Sequence, residues 1–250
     1  MPSFGQREEF FRKLVQREGA GSRIWRQIVA LAALAFAYGV VMGSYHSVTQ
    51  ALAAGLKVGA LMFLTLLICF PAFYVIQMLF GSRLRLHQMV SIVLSGFVLC
   101  GAIMLSFAPI VVFFLLTGGH YHFLQLLHIA IFALSGIFGM KMVVDALQYS
   151  CEKENVYPRV GVAVFRFWVV ILAFVGIQLA WNLRPFLGDR DCPFELFRDY
   201  EGNFYTALIY AAQQLLSGED DELSVTPTEG RSAPEPPPRD SVLLQHLYGE

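Results

Sequence analysis

Apolar residues along this chain are not spaced for a soluble helix or strand; they run together. Five stretches are almost uninterrupted: Trp25–Tyr45, Val58–Phe80, Met89–Leu116, Phe123–Met140 and Val160–Leu183. A helix that crosses the hydrocarbon core of a bilayer needs about 20 predominantly apolar residues, each rising about 1.5 Å. All five stretches are near that length or beyond it, and the second and third hold no charged residue. The pattern therefore predicts an all-α fold: a polytopic transmembrane helix bundle of five spans. The third stretch is longer than a crossing requires. A tilt, or a break near Pro109 with one part in the interface, is expected there. Pro71 is expected to kink the second span, since neighbouring helices in a membrane can satisfy freed carbonyls.

The ends follow other periods. In residues 3–17, "SFGQREEFFRKLVQR", Phe10, Phe11, Leu14 and Val15 share one helical face opposite the charges, which predicts an interfacial helix. Residues 203–217, "NFYTALIYAAQQLLS", begin at a suitable N-cap, Asn203, and repeat apolar side chains at Phe204, Leu208, Ala211 and Leu215. Gln213 and Gln214 oppose a sixth crossing, so this helix is expected on the outer surface or against the bundle. Residues 218–250 carry eight acidic residues, two arginines and five prolines, a disordered composition because too little apolar surface is present to offset ordering entropy. The closing "SVLLQHLYGE" recovers apolar side chains and is either a sticky terminus or a short partner motif. The resulting division is a cytoplasmic amphipathic segment (1–23), a five-span membrane domain (24–217, with an outer cap over 184–217) and an acidic, proline-rich tail (218–250).

Composition sharpens the class. Of 250 residues, 56% are hydrophobic and 15% charged, against about 25% charged in soluble domains. A net charge of −1 with no basic patch or stripe gives no case for nucleic-acid binding. Arg7, Arg12, Lys13, Arg17, Arg23 and Arg26 precede the first span; Arg83, Arg85, Lys153 and Arg159 fall in alternate loops; Lys57 stands alone in the intervening ones. The positive-inside bias then places the amino end in the cytoplasm and, with five spans, the carboxyl end outside. Arg184, Arg190 and Arg198 run against the bias from within a longer tail. The long acidic-containing leader before the first span favours a retained anchor over a cleaved signal.

Candidate chemistry is sparse. Cys69, Cys100, Cys151 and Cys192 form no CxxC, so neither a disulfide framework nor a thiolate metal site is expected. His120, His122 and His128 match no familiar ligand spacing, and no cofactor or metal is assigned. Nucleophile elbows, metalloprotease helices, phosphate loops and dinucleotide fingerprints are missing from the sequence, and the chain is expected not to be an enzyme. Ionisable residues at membrane depth come down to Lys141, Asp145 and Arg166. The first two lie four apart on one helix face and the third near the same end of span five. A structural ion pair with snorkelling side chains is the bland account of this cluster, and a transport relay the sharp one. Gly39 with Gly43, and Ser135 with Gly139, are small-xxx-small pairs that permit close helix contact.

Where span five meets the outer interface, Gln178, Trp181, Asn182 and Arg184 cluster, followed by a helix-ending Pro185. Arg184 is expected to reach lipid phosphate. "CPFELF" returns Phe194 and Phe197 towards the membrane, and Asp191, Glu195, Asp199 and Glu201 are available to Arg184, Arg190 or Arg198. This stretch is a cap over the bundle or, as ordered irregular loops often are, a partner surface.

"GIQLAWNLRPFLG…PFELFRDYEGNFY", with "LKVGALMFLTLLICFPAFYVIQMLFGSRL" and "FAPIVVFFLLT" before it, resembles a group of bacterial multi-pass inner-membrane proteins without an assigned activity; the likeness covers about residues 50–210. The five-span layout with a cytoplasmic amino end is more distantly Yip1-like, similar to trafficking adaptors with small GTPase partners. The resemblance implies the inner (cytoplasmic) membrane of a bacterium as the location, with the carboxyl end periplasmic. The lipid bilayer and a protein are the expected partners. The expected function is a non-enzymatic adaptor or assembly factor, the alternative a small transporter or channel using Lys141, Asp145 and Arg166.

Overall fold

A computed structural model of the chain describes residues 20–82, 84–118, 121–152 and 159–187, with Ile209 and Gln213 singly. The interfacial helix at 3–17, the helix at 203–217, the tail, His120, Cys192, Phe194, Phe197 and Arg198 lie outside the described residues, apart from those two positions.

The elements are α1 (Ala20–Gly43), α2 (Val48–Leu79), α3 (Leu86–Ser106), α4 (Ala108–Leu116), α5 (Tyr121–Glu152) and α6 (Arg159–Leu183). With α3 and α4 taken as one crossing, the described residues hold five helical stretches long and apolar enough to span a membrane. The break between α3 and α4 falls at Phe107, whose N–H donates to the carbonyls of Ile103 and Met104. Pro109 follows inside the first turn of α4, where its missing N–H leaves no bond unmade. The break near Pro109 is therefore present. Pro71, in contrast, sits within a continuous α2.

Two spans are longer than the apolar pattern predicts. α2 begins at Val48 rather than Val58, because Ser47, in extended backbone, accepts the Gln50 N–H at 3.1 Å and caps the helix. The sequence that follows, "VTQALAAGLKV", is rich in good helix formers. Lys57 is consequently inside a helix and not in a loop. α2 ends in a Schellman arrangement: Gly81, at φ +83°, donates to Met78 and Ser82 donates to Gln77. α5 continues to Glu152, so 32 residues make a rod about 48 Å long, well beyond the hydrocarbon thickness of about 30 Å.

Helix contacts close a ring in the order α6, α2, α1, α3, α5, with α5 returning to α6. Small residues set the two tightest crossings. A Cβ on Gly39 would lie 2.6 Å from the Ala54 carbonyl oxygen, and one on Gly43 2.6 Å from that of Gln50. The Gly39/Gly43 pair thus serves the α1–α2 contact within the chain. Gly96 and Gly139 do the same for α3 and α5: a Cβ on Gly139 would stand 2.6 Å from the Gly96 oxygen. Along α2 and α6, Gln77 meets Gly161, Cys69 meets Trp168, Thr65 nears Gly176 and Lys57 meets Pro185. One number falls as the other rises, so these helices run antiparallel throughout.

The polarity of the bundle is inverted relative to a water-soluble fold. Leu116 is 82% exposed, Leu79 81% and Phe167 68%, while Gln50, Lys57, Thr65, Gln77, Ser91, Ser95, Ser135 and His128 are buried. In water such an apolar exterior would drive association; against lipid chains it costs nothing. In the core, the rings of Phe73, Phe165 and Trp168 pack edge-on or tilted with centroids 4.6 to 5.3 Å apart, joining α2 to α6.

Candidate functional site

The carboxyl-terminal end of α6 carries dense polar chemistry. α6 stops at Leu183, ahead of Pro185, as the sequence predicts. Residues 184–187 then fold over the start of α2. Lys57 Nζ donates to the Pro185 carbonyl at 3.0 Å, and Gln50 Nε2 donates to the carbonyls of Pro185 at 3.1 Å and Phe186 at 3.3 Å. Lys57 and Gln50 are seven apart, two helical turns, and so lie on one face of α2. Both are buried, as are Pro185 and Leu187.

The physical sense of this latch is electrostatic. The last carbonyls of a helix have no partner within it and carry partial negative charge, which a cation at the C-terminus complements. Lys57 supplies that cation to α6 from another helix. Its ammonium gives up water for carbonyl oxygen, and Gln50 gives the same oxygen a second donor.

Just outside the latch, the Arg184 guanidinium lies 3.6 Å from the Trp181 ring centroid, a cation–π stack. The indole three residues earlier offers the guanidinium its face at short range. Asn182 is exposed, and its Nδ2 donates to the Gln178 carbonyl at 2.9 Å. Gln178 and Trp181 are half-buried. The described half of the predicted cap, Gln178 to Pro185, therefore forms one continuous patch.

The Lys141, Asp145 and Arg166 group is placed differently. Lys141 and Arg166 are both exposed on the bundle exterior and Asp145 is half-buried. The three do not close a buried relay. Long stems let Lys141 and Arg166 carry their charges towards the headgroups along an apolar surface.

Three polar seams escaped the sequence reading. Gln27 of α1 donates to the Ser91 carbonyl at 3.1 Å and to Ser95 Oγ at 2.6 Å, while Ser91 Oγ donates to Gln27 Oε1 at 3.1 Å. Tyr38 Oη and His128 Nδ1 are 2.7 Å apart, bonding α1 to α5. Gln77 Nε2 donates to the Gly161 carbonyl at 3.1 Å. A glutamine inside an apolar run is a signal, because a polar group in hydrocarbon needs a partner; its partner is not legible, since the mates lie between 64 and 135 residues away. Among the described residues, no three His, Cys, Asp or Glu side chains gather as a metal site. Cys69 and Cys100 are free and buried.

The fold and latch define a class, a bundle with five helical stretches of membrane-spanning dimensions and the end of α6 pinned to α2. Comparison with known proteins adds no family to it: no family model matches the chain, and no significant match occurs among curated proteins or solved structures.

Proposed function

We propose that this chain is a non-enzymatic adaptor or assembly factor of the bacterial inner membrane, with its amino end cytoplasmic and its carboxyl end periplasmic. One observation carries the reading: Lys57 and Gln50 fix the backbone of Pro185 and Phe186, so the described stretch that closes at Leu187 is a rigid base. A segment presented from a fixed origin binds with less ordering cost than one on a free tether. The bias of Lys and Arg supports the orientation, and the five membrane-length helical stretches support a membrane location. The alternative, a small transporter or channel, asks Lys141, Asp145 and Arg166 to cooperate inside the bundle, and the outward placement of both cations favours the adaptor.

A photo-reactive amino acid at Phe194 or Phe197, activated in native membranes, should yield one reproducible protein adduct. Absence of any adduct at either position, in membranes where the chain is inserted, defeats the proposal. The transporter reading has its own signature, flux in reconstituted vesicles that Asp145→Asn abolishes without loss of folding.

A further inference from the structure

Lys57 and Arg184 stand at the latch end of the bundle, while Arg26, Lys141 and Arg166 lie towards the end where α1 and α6 begin. These last three are exposed, on three different helices, and helix register gives their heights. Along the antiparallel α1–α2 pair, Gly39 faces Ala54 and Gly43 faces Gln50, so Arg26 falls level with Leu67. Along α2 and α6, Gln77 meets Gly161 and Cys69 meets Trp168, which puts Arg166 level with Pro71. Lys141 lies between Gly139 and Val143, which both face Gly96 of α3; five residues on, Gly101 faces Leu34 of the parallel α1. Lys141 is therefore level with Val29 and, through the α1–α2 pair, with Leu64. From Leu64 to Pro71 is about 10 Å of helix, so the three cations form a belt.

The belt is set in apolar exterior. Trp25 beside Arg26 is 66% exposed; Leu134, Ile137 and Phe138 are exposed on the α5 face that carries Lys141; Phe167 and Val170 are exposed beside Arg166. Lipid chains meet such a surface, so each long stem lies along it and carries its charge to headgroup level, where the anions are lipid phosphates. An exposed tryptophan belongs at that level too, its ring apolar and its N–H polar. Among the described residues the carboxylates are Asp145, half-buried and one turn from Lys141, and Glu152, about 16 Å further along α5. Asp145 offsets one positive charge, and the belt stays net positive. A zwitterionic headgroup brings its own ammonium into that field. An anionic one does not, and gains more from it.

We propose that this belt selects anionic phospholipids, whose phosphates pair with Arg26, Lys141 and Arg166 while their chains lie on the apolar faces alongside. The belt shares no residue with the latch, so it stands apart from the adaptor reading.

The test uses the full chain reconstituted in vesicles of equimolar phosphatidylglycerol and phosphatidylcholine, with a spin label on one lipid or the other. Each cation near a membrane surface favours an anionic lipid about fivefold. Motionally restricted phosphatidylglycerol should therefore exceed restricted phosphatidylcholine at low salt, and added salt should shrink the excess. The triple variant Arg26→Gln/Lys141→Gln/Arg166→Gln, changed only at exposed positions, should hold the two lipids alike. Arg184→Gln, at the latch end, should keep the preference. Fluorescence of Trp25, isolated as the difference from Trp25→Phe, locates the lipid: brominated phosphatidylglycerol should quench it more than brominated phosphatidylcholine. Equal retention of the two lipids by the unaltered chain, or equal quenching of Trp25, would overturn the proposal. So would a preference that survives the triple variant or vanishes with Arg184→Gln. Loss of the preference to inorganic phosphate at matched ionic strength would also overturn it, since the cations would then hold free anions.

Discussion

Lys57 carries the chemistry of the α6 terminus in a single side chain. An ammonium moved out of water is penalised by several kcal/mol unless strong acceptors surround it, and here the acceptor is the Pro185 carbonyl at the negative end of α6. Replacing Lys57 by Met keeps the stem's bulk and removes the donor. Gln50 still holds Pro185, so the loss should be about 1–3 kcal/mol and not a collapse of the fold. The loosened segment should also become a better substrate for trypsin at Arg190. Thermal unfolding in detergent and the tryptic cleavage rate check both outcomes, and an unchanged cleavage rate would mean that the latch does not hold the segment. Trp168 is a milder case. Its Nε1–H donates to the Cys69 carbonyl at 3.2 Å, so Trp168→Phe should cost about 0.5–1.5 kcal/mol for that bond plus the lost packing against Phe73.

Between elements, glycine decides how closely helices cross. Gly39 faces backbone of α2 at a distance no Cβ tolerates, and backbone cannot swing aside as a flexible side chain does. Gly39→Val should therefore separate α1 from α2 and destabilise the bundle by about 1–3 kcal/mol or more. Gly136 supplies the control: a Cβ there meets nothing within 4 Å. In a helix interior, Gly136→Ala should leave stability unchanged or raise it by about 0.5–1 kcal/mol through lower chain entropy. Midpoints of thermal unfolding for the two variants should move in opposite directions, and a shared loss would show that the close approach at Gly39 is not what matters. The α2–α6 pairing adds polar pins at both ends, Gln77 to Gly161 and Lys57 to Pro185, with an aromatic cluster between them. Such pins fix register, because a slip by one residue would leave buried donors unmatched.

For the molecule as a whole, five membrane-length helical stretches of alternating direction place α1's start and α6's end at opposite ends of the bundle, in agreement with the antiparallel ladder of α2 and α6. Compartment-specific reporters should accordingly be active in the cytoplasm when fused before residue 20 and in the periplasm when fused after residue 217. Two reporters active in the same compartment would refute the proposed topology and remove the periplasmic presentation of the cap.

Much of this architecture was written in one dimension. Crossing number, the break near Pro109 and the end of α6 at Pro185 depend on local composition and on what proline does to a backbone. Those effects act within a few residues, so a linear reading reaches them. The extent of α2 was misjudged because a lysine in an apolar run looks like an interruption, whereas a capped, alanine-rich helix continues through it when a carbonyl waits on the far side. The Lys57–Pro185 latch, the Tyr38–His128 bond and the Gln27–Ser91–Ser95 seam were decided by the tertiary structure alone. A hydrogen bond is short-ranged in space but indifferent to sequence separation, and only the packing of α6 on α2 and of α5 near α1 brings such distant partners within 3 Å or so of one another.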